Sequence, residues 1–96
     1  MENHVVLTAC IEELQVLRYT PAGLPALDLR LVHESAQLEA GVLRKVSAVV
    51  KAVAFGALAE RLARQAPGSI WKFQGFLATP RNSKTVVLHL QDVQQN

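Results

Sequence analysis

The sequence holds a single cysteine, Cys10, so no intrachain disulfide can form, which agrees with a reducing compartment. No apolar run approaches the roughly 20 residues that a membrane-spanning helix needs. The opening residues Met1-Glu2-Asn3-His4 carry an acid where a secretory leader carries bases. A cytoplasmic protein without a membrane segment is the expectation. Clustered chemistry is missing as well. Metal sites want grouped His, Cys, Asp or Glu, whereas His4, His33 and His89 are scattered and Cys10 is alone. There is no phosphate-cradling glycine loop and no nucleophile elbow. These absences argue against an enzyme, a bound metal or a cofactor. Aromatic residues are few: Tyr19, Phe55, Trp71, Phe73 and Phe76.

Apolar residues, by contrast, make up 50% of the chain and charged residues 19%, a globular composition without a disorder signature. Ninety-six residues predict one domain over 1–96. A chain this short buries only about 60–65% of its unfolded surface. Its high apolar share therefore predicts surface buried between subunits. The net charge of +2 is small but unevenly placed. Residues 1–40 carry a net of −4 and residues 41–96 a net of +6. Such an asymmetry permits a one-sided basic surface.

Val5, Leu7, Ala9 and Ile11 alternate with period two, which predicts a first strand. The phase then slips at Glu12-Glu13, so a bulge is expected there. Thr20-Pro21-Ala22-Gly23 is a turn signal. Leu27, Leu29, Leu31 and His33 form the inward phase of a second strand, paired with the first. Ser35 to Gly41 reads as a polar loop. A valine-rich third strand covers 42–54. Phe55, Leu58, Ala59, Leu62 and Ala66 recur at helical spacing, which predicts a helix of about ten residues started by Gly56 and ended by Pro67-Gly68. Trp71, Phe73, Gly75 and Leu77 mark a fourth strand, with Gly75 suited to a tight bend. Thr79 to Lys84 is a loop, and Val86, Leu88 and Leu90 mark a fifth strand. Five strands with one short helix between the third and fourth predict an all-β, five-stranded OB-fold barrel.

OB barrels bind across the second and third strands, with the loops joining strands one and two and strands four and five closing over the ligand. Single strands are held there by basic groups on phosphates and by rings on bases. The candidate contacts are Arg18 and Tyr19 beside the first turn, Arg30 on strand two, Arg44, Lys45 and Lys51 on strand three, and Arg81 and Lys84 in the last loop. Trp71 and Phe73 share an inward phase and are expected in the core. His33 is expected to be a hydrogen-bonded, partly buried residue. Val6, Leu17, Val32 and Val87 fall on the outward phase, more apolar surface than a monomeric barrel leaves exposed. A protein–protein adaptor and a small RNA-binding module stay open beside single-stranded DNA binding.

Three stretches carry a resemblance: Arg18-Tyr-Thr-Pro-Ala-Gly-Leu-Pro25; Leu31-Val-His-Glu-Ser35 with Gln37-Leu-Glu-Ala-Gly41; and Gly75-Phe-Leu-Ala78 with Val87-Leu-His89. Together they span nearly the whole chain, and they resemble the primosomal replication protein N (PriB) family, which is similar to single-stranded-DNA-binding proteins. The resemblance implies an OB-fold homodimer that binds single-stranded DNA in the restart of stalled replication forks. It implies the primosomal helicase PriA as partner, with a helicase-loading factor in some bacteria, and no catalytic activity. The family's basic DNA-facing positions carry over onto Arg18, Arg44, Arg81 and Lys84. Two of its aromatic positions are occupied by Val42 and Ser47, and a further basic one by Glu34. Fewer rings and an added acid imply weak binding, mainly through phosphates.

Overall fold

A computed structural model describes residues 1–95. The elements follow in the order β1 (Val5–Leu14), β2 (Arg18–Tyr19), β3 (Pro25–Glu39), β4 (Val42–Phe55), α1 (Ala57–Ala63), β5 (Ile70–Ala78) and β6 (Val87–Gln95). The long strands run β1-β5-β6-β4-β3 across the sheet, and β3 pairs again with β1, closing the ring. Neighbours are antiparallel except β4 and β6, which are parallel. This is the five-stranded OB barrel that the alternation predicts. β2 is a two-residue addition along β3.

Closure depends on β1 changing partners. Its first half, Val5–Cys10, pairs with β5, and its second half, Cys10–Leu14, pairs with β3. The register shifts between Ile11 and Glu13, leaving Glu12 without a partner, at the expected bulge. A second irregularity answers it across the barrel. Gln74 faces Asp92 but Gly75 faces Leu90, so Gln91 is the extra residue on β6. A side chain on Gly75 would run into the His89 carbonyl, so only glycine lets the two backbones come this close.

The inward phases supply the core. Ile11, Leu27, Leu31, Phe73 and Leu88 are fully buried, and Trp71 joins them. The Trp71 indole Nε1–H donates to Ser69 Oγ at 3.0 Å, so its polar edge is satisfied. Helix α1 is shorter than its sequence period predicts. It begins after Gly56, whose N–H donates to the Pro25 carbonyl (2.9 Å), and it turns Ala59 and Leu62 into the same core. Among the described residues no helix is long and apolar enough to cross a membrane.

The expected loop over Ser35–Gly41 is strand instead. β3 continues to Glu39, and β3 and β4 form a hairpin closed by Ala40-Gly41, both at positive φ (51° and 79°). Two-residue hairpin turns require that backbone. The segment is polar because this part of β3 projects beyond the barrel and both of its faces are wetted. A strand of 15 residues at about 3.3 Å each is about 50 Å long, which accounts for the 49 Å long axis. Phe55 also departs from expectation: it ends β4 rather than joining the helical stripe. Leu17, expected outward, packs against the core. The last strand starts at Val87 and runs to Gln95. Replacing Gly75 by alanine is expected to cost about 2–3 kcal/mol, measured as a lower urea midpoint at unchanged slope.

Candidate nucleic-acid interface

Alternation sorts the hairpin residues onto two sides. In β4 the even positions Ala52 and Ala54 enter the core while Val49 and Lys51 are exposed. In β3 the odd positions Leu27, Leu29 and Leu31 enter it. The outer stripe, read by cross-strand partners from barrel to tip, is Arg30–Lys51, Val32–Val49, Glu34–Ser47, Ala36–Lys45 and Leu38–Leu43. Lys45 and Lys51 thus share one side, about 20 Å apart along β4. Arg44 lies on the other side, opposite Gln37, with its Nε 2.8 Å from a Glu39 carboxylate oxygen. The three basic residues expected on the third strand therefore do not form one row.

The loop between β5 and β6 closes over this side. Thr85 and Val86 line a cleft of about 340 Å³ with Arg30, Val49 and Lys51. A second concavity of about 260 Å³ continues from it past Asp28, Gln15 and Val87. Lys84, exposed, immediately precedes the cleft-lining Thr85, and Arg81 is exposed in the same loop. Neither residue, nor Lys45 or Lys51, has an ion-pair partner among the described residues. A larger cavity, about 780 Å³, lies elsewhere, between β1 and β3. Its wall holds Glu12 and Glu34 and no cation, the wrong charge for a polyanion.

Arg18 and Arg30, like Arg44, are occupied. Arg18 grips Asp28 through two bonds, Nε–Oδ2 at 2.7 Å and Nη2–Oδ1 at 3.2 Å. The Asp28 hydrogen bond raises the Arg18 pKa above its already high ordinary value, so the group stays cationic. Arg30 Nη1 lies 3.2 Å from Glu12 and 3.0 Å from Glu13. Adjacent strand residues ordinarily point to opposite faces, and the bulge at Glu12 is what brings both carboxylates to one guanidinium.

Rings are more concentrated than the alternation reading implies. Phe76 and His89 are cross-strand partners whose rings stack at 4.9 Å with a 16° interplanar angle. Phe55 follows at 6.0 Å and 30° on the other side of His89. All three lie outside the core cluster. Val53, opposite Asp28 and paired with His89, connects this ring stack to the Arg30–Lys51 pair one row along the sheet. Phe55 is 40% exposed, so a ring face is available there. Phe55 was hidden because its spacing fits the helical stripe. His89 was hidden because only the register pairs it with Phe76.

Tyr19 is 64% exposed on β2, opposite Pro25. His33 is a bridging residue, as expected. It is half-buried, with Nδ1 2.7 Å from the Thr8 carbonyl and Nε2 2.8 Å from Ser35 Oγ. Among the described residues no group of three His, Cys, Asp or Glu is placed to hold a metal ion. Because the Arg18–Asp28 pair is about half exposed (50% and 45%), its contribution to stability is small. Asp28→Asn is expected to shift the unfolding free energy by under about 1 kcal/mol, read from urea melts.

Comparison with known proteins places this geometry. A family model described as "another single-strand binding protein family" matches residues 3–92. The chain is 48% identical over 94 residues to replication restart protein PriB of Bordetella pertussis, covering 97% of this chain and 88% of that one. It is 38% identical over 91 residues to the Nitrosomonas europaea protein of the same name, covering 94% and 84%. The structure superposes on PriB of Ralstonia solanacearum with a TM-score of 0.91 at 35% identity, covering 99% and 98%. It shares its fold with the single-stranded DNA binding protein of Thermus aquaticus, with a TM-score of 0.79 at 24% identity, covering 99% of this chain and 50% of that one.

Proposed function

The chain belongs to the single-strand binding protein family, among the replication restart proteins PriB, and from that premise we propose that it binds single-stranded DNA during replication restart. The observation that carries the reading is the joining of a cleft and a ring stack on one side of the barrel. The cleft is walled by Arg30 and Lys51, and the stack is Phe55, His89 and Phe76.

In this reading Lys51, Lys45, Lys84 and Arg81 neutralise successive phosphates, and the exposed face of Phe55 receives a base. Tyr19 extends the ring surface toward the first turn. Arg18, Arg30 and Arg44 contribute less than their charge implies, because each already has a carboxylate partner. Ser47 and Val49 leave the middle of the stripe without a ring, so binding is weak and mainly electrostatic. The protein acts without catalysis, as a homodimer that works with the primosomal helicase PriA and, where one is present, a helicase-loading factor. A second reading, a protein adaptor, is favoured by the hairpin tip, where the Leu38–Leu43 pair is 74% and 70% exposed.

Titration with oligo-dT at several salt concentrations separates the two readings. For DNA binding, affinity falls steeply with salt, and Lys51→Ala reduces the logarithmic slope by about 0.7, one phosphate contact on a single strand. Phe55→Ala costs about 1–3 kcal/mol. If an Arg44→Ala/Arg81→Ala/Lys84→Ala variant still fully stimulates the helicase on forked DNA, the adaptor reading takes over.

A further inference from the structure

The bulge in β1 uses two glutamates where closing the barrel needs only an extra residue. Glu12 and Glu13 both converge on Arg30. Arg30 in turn faces Lys51 directly across the β3–β4 ladder. Like charges in that position repel, so the glutamates offset the Arg30–Lys51 repulsion. They also do something that matters for ligand binding. A carboxylate pairs with a guanidinium through the same charge-assisted hydrogen bonds that a phosphate oxygen makes. Arg30 lines both concavities of the candidate face, and it already holds two such oxygens.

Resting on the reading above, we infer that Glu12 and Glu13 are built-in phosphate competitors that withhold Arg30 from the DNA backbone and so set the affinity of the face. The same arrangement recurs where Asp28 holds Arg18 with both oxygens. The pairs are not needed for folding. Their side chains are 44–50% exposed, and exposed ion pairs contribute little stability. The division of labour on this face follows. Lysines without carboxylate partners bind, while arginines with them are held in reserve. Arg30 does not move to become available; it changes one oxyanion for another.

The test uses the full chain and oligo-dT. Glu12→Gln/Glu13→Gln is expected to bind about three- to tenfold more tightly near 0.1 M salt, with the logarithmic salt slope steeper by about 0.7 for the one phosphate that Arg30 now contacts. Glu60→Gln, on helix α1, controls for net charge and is expected to change affinity less than twofold. The decisive comparison repeats the double substitution with Arg30→Ala already present, where the added slope disappears. An equal gain with and without Arg30 overturns the inference, because the glutamates then act only by repelling DNA. Weakening by Lys51→Ala with no gain from Glu12→Gln/Glu13→Gln overturns the inference and leaves the DNA-binding reading standing. Failure of every variant to bind oligo-dT overturns both. Circular dichroism of each variant establishes that the barrel is intact.

Discussion

The bulge at Glu12 lets one strand do the work of two. β1 begins as the neighbour of β5 and ends as the neighbour of β3, and the change of partner closes the sheet. An open sheet would leave a row of unpaired backbone groups at each edge. Here the ring removes those edges around the barrel body. The close approach of Gly75 to His89 bends the opposite side by a matching amount. Everything described for the outer face depends on this pair of irregularities, because they determine which residues stand beside Arg30 and which rings meet at His89.

The barrel and the hairpin divide the chemistry between them. Inside, branched and aromatic side chains pack, and among the described residues no charged or polar residue is buried. Outside, one side gathers cations, rings and two shallow clefts. The acids of the N-terminal half do not simply dilute that charge. Asp28, Glu12, Glu13 and Glu39 each sit on an arginine. On this face the positive charge is thereby left mainly to lysines and to Arg81. A face built this way has fewer unpaired cations than its formal charge implies.

Much of this was legible in the sequence, for reasons that differ by residue. Period-two alternation placed Leu27, Leu29, Leu31, Trp71 and Phe73 inside because a half-buried strand has only two sides. The phase slip at Glu12-Glu13 exposed the bulge, since any strand that keeps its core contacts must absorb the extra residue. Gly75 marked a bend. What stayed hidden depends on register, which a single strand does not encode. Arg44 and Lys45 are neighbours in sequence but face opposite ways. Phe76 and His89 stack only because twelve residues of intervening chain bring β6 back to that register. The arm beyond Ser35 was misread because its polarity reflects two wetted faces rather than a loop. Helix α1 is shorter than its period implies, because Phe55 belongs to the strand before it and the chain leaves the helix at Arg64.

The central claim is that one side of the barrel, the outer face of β3, β4 and β6, meets the DNA strand. Backbone amide chemical shifts recorded during titration with oligo-dT test this most directly. The account requires the largest changes at Arg30, Lys51, Phe55, Lys84 and His89, with little change at Val6, Thr8 and Lys72 on β1 and β5. Changes concentrated on β1 and β5, with Lys51 and Phe55 unmoved, would contradict it.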